Sequence, residues 1–167
     1  MDDTIQTPIH HGSDLVTRLD EIETRLVALA RAEPPVGLTE PDAGGTERWE
    51  AAQVWGHIAE FVPYWHTELK TVIGGFRGSP IPFGRTKTDS GRIAGIETGR
   101  HAPIPTLMEQ TRTSIADLKS YLGRLTPAEW KAMGLHPIRG EMAVSAIVER
   151  FVVGHLEEHA DQLDSLR

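Results

Sequence analysis

The chain has no cysteine among its 167 residues. That absence removes disulfide scaffolds, thiolate zinc sites, cysteine nucleophiles and redox motifs together, and it leaves histidine and carboxylate as the only side chains that could hold a metal. Positive charge is also short. Seventeen Lys and Arg stand against 24 Asp and Glu, for a formal net charge of −7. With no basic block, the chain lacks the phosphate-neutralising surface of a general nucleic-acid binder. Long apolar runs are missing too: none approaches the roughly 18 residues of a membrane span, and the acidic start MDDTIQTP is unlike the positively charged entry of a signal peptide. The expectation is a cytoplasmic protein with neither nucleic acid nor membrane as partner.

What is present is helical periodicity, with 39% hydrophobic residues and eight His. One domain over residues 1–167 is expected from the length, with the first 12 residues flexible. In 14–32, Leu15, Leu19, Ile22, Leu26 and Leu29 alternate spacings of four and three and draw one apolar stripe. Ser13 reads as the N-cap of this first helix, and Pro34-Pro35 stops it. The second helix, about 48–73, turns Val54, His57, Ile58, Phe61, Trp65, Leu69 and Val72 inward. Pro63 is expected to kink or split it, and Gly74-Gly75 to end it. A third helix fits 105–124, a short capped one begins at Thr126-Pro127 and ends at Met133-Gly134, and a last one fits 142–166. In that last helix Ala143, Ile147, Phe151, His155, His159 and Leu163 or Leu166 face inward. Four long amphipathic helices without a credible strand set predict an all-α four-helix bundle.

Residues 74–104 differ, with seven of the sixteen Gly, three Pro and no sustained apolar period. The segment carries Arg77, Arg85, Lys87, Arg92 and Arg100 against Asp89 and Glu97, so it is at +3 while the rest of the chain is at −10. It reads as a long basic loop without secondary structure of its own, of a length suited to a crossover between two parallel helices, the second and the third.

His155 and His159 are four apart in a helical segment and so lie on one face, the spacing by which a helix offers two imidazoles to one metal ion. The competing reading is a surface pair near a helix C-terminus. His57, on the apolar face of the second helix, supplies a third inward imidazole; three imidazoles from facing helices leave an open position for water or substrate. Glu60 and Glu158 are candidates for ligand support or a general base, with solvated acids as the alternative. Tyr64 follows on the side of His57. HLEEH at 155–159 also matches the H-x-x-E-H pattern of inverted zinc proteases, but only eight residues follow in which to find their distant carboxylate ligand. His66 falls half a revolution from His57, while His10, His11 and His101 lie outside the helices. His136 is expected exposed near the bundle mouth; it and His66 are kept as possible contacts to ligand supports or substrate.

VWGHIAEFVPYW at 54–65, HPIRGEM at 136–142 and VERFVVGHLEEHADQL at 148–163 give the chain, over roughly 45–167, a form that resembles the DinB/YfiT-like superfamily of metal-binding bundles. The resemblance implies a three-His metal site on His57, His155 and His159, a long connection between helices 2 and 3, and a homodimer. It also implies a divalent metal, zinc or nickel, and either thiol-dependent S-transfer with mycothiol, bacillithiol or glutathione, metal-dependent hydrolysis, or a non-catalytic stress-associated bundle whose metal only stabilises the fold. In the thiol reading a small-molecule substrate or cofactor with carboxylates would meet Arg85 and Arg92 of the basic loop.

Overall fold

The computed structural model describes residues 11–41 and 45–166; the expectation of a flexible first dozen residues, and His10 with it, falls almost wholly outside them. Helix α1, His11–Arg31, buries Leu15, Leu19, Ile22, Leu26 and Leu29, the stripe its spacing predicts. It starts earlier than expected, so Ser13 is not its cap. Ser13 sits in the first turn, where its carbonyl accepts from the Thr17 hydroxyl.

Helix α2, Ala51–Gly75, opens on a capping box between Glu50 and Gln53 and stays one element through Pro63. The expected split does not occur. Pro63 is on the exposed side, where water can reach the carbonyl that loses its donor, while Val54, Ile58, Phe61, Trp65, Leu69 and Val72 stay buried on both sides of it.

The segment after α2 is a crossover, but an ordered one. It holds a two-residue strand β1, Ile81–Pro82, and a helix α3, Ser90–Gly99, whose N-cap Asp89 accepts from the Arg92 amide. It retraces α2 backwards: Ile81 lies on Gly75, the Gly84 amide donates to Glu68, Arg85 reaches Glu60, Gly99 meets Gly56, and Arg100 reaches Glu50. A Cβ on Gly99 would stand 2.7 Å from the Gly56 Cα, so the two helices touch backbone to backbone. Arg85, Arg92 and Arg100 meet the acids Glu60, Glu47 and Glu50. The charge inversion of this segment therefore serves its docking onto the acidic bundle.

Helix α4, Ile104–Leu122, then runs parallel to α2, with Tyr121 beside His66 and Lys70. It is antiparallel to α1, as Arg112 bonds Glu23 and Lys119 bonds Asp20. The short helix α5, Pro127–Trp130, has the expected capping box of Thr126 and Glu129 but ends earlier than predicted. Met133 instead begins β2, Met133–His136, which pairs parallel with β1 and antiparallel with β3, Gly140–Ala143. This small sheet was not expected. Strands of two to four residues are too short to display an alternation.

The last helix is continuous over 144–165: α6, Val144–Ile147, a π-helical stretch, Val148–Val153, and α7, Gly154–Ser165. It runs antiparallel to α2, with Trp65 stacked on Phe151 and His57 beside His155. It runs parallel to α1, where Arg18 bridges Glu149 and Glu157, and Arg25 bridges Asp161 and Asp164. One apolar core joins all four long helices. Among the described residues no helix is long and apolar enough to cross a membrane.

Candidate metal centre

His57 comes from the first third of α2, and His155 and His159 from the start of α7. Their Nε2 atoms converge: His57 to His155 is 3.0 Å and His155 to His159 is 3.1 Å. All three ligand atoms lie within 4.8 Å of one another.

Each ring is fixed through its other nitrogen by the residue three positions on. His57 Nδ1 is 2.7 Å from Glu60 Oε1, His155 Nδ1 is 3.3 Å from Glu158 Oε2, and His159 Nδ1 is 2.7 Å from Gln162 Oε1. These oxygens can only accept, so each Nδ1 carries the proton and each Nε2 presents its lone pair. Three lone pairs facing one another repel unless a cation lies among them. Imidazole nitrogens at about 2.0–2.1 Å from a tetrahedral zinc stand about 3.3 Å apart, close to the spacings found here. The donor set therefore fits a divalent metal.

The surroundings keep the imidazoles of His57 and His159 neutral. Burial, then the neighbouring His159 and His155, push the His57 pKa well below its ordinary value. Burial, then His155, lowers His159 to about 3, against the opposing hydrogen bond that its Nδ1 donates to Gln162. Phe61 lies 5.0 Å from the His57 ring and 4.7 Å from that of His155, and Trp49 stacks on His159 and meets His57 edge-on. Only His155, with 29% of its side chain exposed, opens the site to solvent.

A pH dependence follows from these shifts. In the unfolded chain both imidazoles take protons below about pH 6.5, whereas in the folded chain they resist, so the unfolded state binds more protons and folding stability is lost as the pH is lowered. For His159, with a folded value of about 3, the loss between pH 6.5 and 4 is roughly 3 kcal/mol. Denaturant melts of metal-free protein at pH 7 and pH 4 check this; equal stabilities would contradict it.

Residues 18–163 match the sequence profile of the DinB superfamily. The chain belongs to the DinB superfamily. Among solved structures, this DinB chain is similar to YfiT from Bacillus subtilis, described as a probable metal-dependent hydrolase with an unusual four-helix bundle topology. The identity is 16%, covering 99% of this chain and 91% of that one, with a TM-score of 0.75. It is similar also to a mycothiol-dependent maleylpyruvate isomerase, at 13% identity and a TM-score of 0.69, over 91% of this chain and 60% of the isomerase. An uncharacterised protein from Clostridium difficile 630 shares the fold at 10% identity and a TM-score of 0.67, over 95% of this chain and 96% of that one. At these identities the likeness is one of fold. No curated protein matches the sequence.

The other residues singled out in the sequence are distributed around the three rings. Glu60 is shared between His57 and Arg85, whose guanidinium donates to both its oxygens at 2.6 and 2.7 Å. Burial raises the Glu60 pKa, and Arg85 pulls it back down. Tyr64 lies under Arg85, 3.8 Å from guanidinium carbon to ring centre. Arg92 is buried, donates to the Lys87 carbonyl at 2.9 Å and lies over Trp49. Glu158 is largely exposed, and its bond to His155 holds it below the ordinary carboxylate range. His136, expected exposed, is buried instead: its ring stacks on Phe151, and its Nδ1 accepts the Ile138 and Arg139 amides. The β2–β3 turn folds it inward, which the Leu-His-Pro sequence does not reveal. His66 lies apart, against Tyr121, and His101 is on the surface bonded to Glu97. His11 opens α1 instead of preceding it.

Trp49, Phe61 and Gln162 were not picked out as site residues. Gln162 had a signal: His is followed by Glu or Gln at the third place at 57–60, 155–158 and 159–162. Trp49 stands before the periodic part of α2 and had none.

Proposed function

We propose that this DinB chain is a metal-dependent enzyme that holds a divalent ion, zinc or nickel, on His57, His155 and His159 and transfers a low-molecular-weight thiol to a small electrophile. The observation that carries this reading is the convergence of three Nε2 lone pairs, each backed at Nδ1, with a single solvent-facing edge at His155. Three protein ligands leave coordination unfinished. A bound divalent metal supplies the positive charge that deprotonates a thiol and keeps it nucleophilic. The chain has no sulfur nucleophile of its own, so the thiol comes from a cofactor. Around it, Phe61 and Trp49 exclude water from the inner side of the rings, while Glu60, Glu158 and Gln162 fix their orientation. The likeness to a mycothiol-dependent isomerase supports the thiol. The reading includes a cytoplasmic homodimer.

Glu158 favours a second reading, metal-dependent hydrolysis. Its carboxylate is ionised, exposed and beside the open edge, where it can take a proton from water. The test is conjugation of a model electrophile by the metal-loaded protein with a panel of low-molecular-weight thiols. A thiol-dependent rate that His155→Ala abolishes is expected. Hydrolysis of a model ester or amide without any thiol-dependent rate would turn the assignment to the second reading, and neither activity would leave the metal a stabilising role.

A further inference from the structure

Arg85 follows β1 by three residues in a basic segment, yet its side chain is only 9% exposed. Its guanidinium closes on both oxygens of Glu60 and rests on the Tyr64 ring. Its backbone is held from both directions. The Phe83 amide donates to the Leu135 carbonyl at 3.1 Å, extending the β1–β2 pairing, and the Gly84 amide donates to Glu68 at 2.5 Å. The His136 ring closes over Gly84, where a Cβ would meet it at 2.5 Å. The small sheet and the HPIRGEM turn thus deliver one guanidinium to one carboxylate. That carboxylate is the partner of His57 Nδ1.

We infer that Arg85 is a positioning residue of the three-His centre: through Glu60 it fixes the ring of His57, and so it ties metal affinity to the docking of the crossover segment on α2. The inference rests on the metal reading given above. A lone Glu60 has several rotamers from which to reach Nδ1, and Arg85 selects one: its Nη2 donates to both carboxylate oxygens, charge-assisted contacts held in place by the Tyr64 ring under the guanidinium. Such partners of ligand histidines commonly change metal affinity by about 10–100-fold. The coupling is reciprocal: whatever the docked crossover adds to metal affinity, bound metal adds to the docking.

Zinc affinity of the full chain, measured by chelator competition, is expected to fall about 10–100-fold in Arg85→Met. Arg85→Lys, with the charge but without the planar guanidinium that rests on Tyr64, should recover only part. Glu60→Ala should weaken binding similarly, and the double variant should be no weaker than Glu60→Ala alone, since both changes cut one connection. Hydrogen exchange gives a readout without activity: zinc should slow the amides of 81–92 in the wild type and not in Arg85→Met. Additive losses in the double variant, or Arg85→Met binding zinc as tightly as wild type, would overturn the inference while leaving the metal centre standing. A wild type that binds no zinc would overturn the metal reading, and the inference with it. Should Arg85→Met fail to fold, Arg85→Lys carries the same comparisons.

Discussion

His57→Ala is expected to weaken divalent-metal binding by about a hundred- to a thousand-fold. Structural zinc sites with four ligands bind with about 10–16 kcal/mol, so one imidazole accounts for about 3–4, and each 1.4 kcal/mol is tenfold. Among the three, His57 is the informative choice because it is the only ligand from α2; without it, α7 retains two imidazoles on consecutive turns but nothing faces them. The thermal consequence is large. Metal at about a thousand times its dissociation constant stabilises the native chain by about 4 kcal/mol, equivalent to about 10 °C for a protein of this size. The wild type should show that gain and His57→Ala almost none. Chelator competition and melting curves with and without zinc check this, and a variant that retains either the affinity or the gain contradicts it.

Gly154→Ala should have the second-largest effect, although it removes no ligand. The Gly154 amide bonds the Glu149 carbonyl, five residues back, and closes the π turn immediately before His155. A Cβ at 154 would lie 2.8 Å from that carbonyl oxygen, and neither atom can move away without moving the backbone. An α-helical register would relieve the clash, but it would turn the helix by about one residue, roughly 100°, between the core contacts of α6 and the histidines of α7. Either the core or the metal centre must give. The expected result is a loss of about 2 kcal/mol in stability together with at least a tenfold loss of zinc affinity. Unchanged urea midpoint and zinc affinity would show that the π turn is not what sets the ligand phase.

That turn also explains what the sequence concealed in the last helix. The α-period ties Phe151 to His155 and His159 on one inward face, and the histidines do converge with His57. Phe151, however, is only half buried, while the adjacent Val152 and Val153 are both fully buried. The π-helical residues 148–153 shift the helical phase just before the histidines, so a face projected back from His155 and His159 at 3.6 residues per turn does not hold at 151. The bundle itself was legible because Leu15 to Leu29 and Val54 to Val72 follow that period without interruption. So was the crossover, from its length. Helix α3 was not, since Ile96 is its only buried apolar residue and a single point defines no stripe. Arg85 was legible as a charge near the site, but its partner Glu60 is 25 residues away, and only the folded crossover brings them together.

The central claim is that the three imidazoles bind a metal, and the most direct measurement is elemental analysis of untagged protein, wild type and His155→Ala, before and after reconstitution with zinc or nickel. The account predicts close to one equivalent per chain for reconstituted wild type and little for His155→Ala. Stoichiometry near zero for the wild type after reconstitution would contradict it.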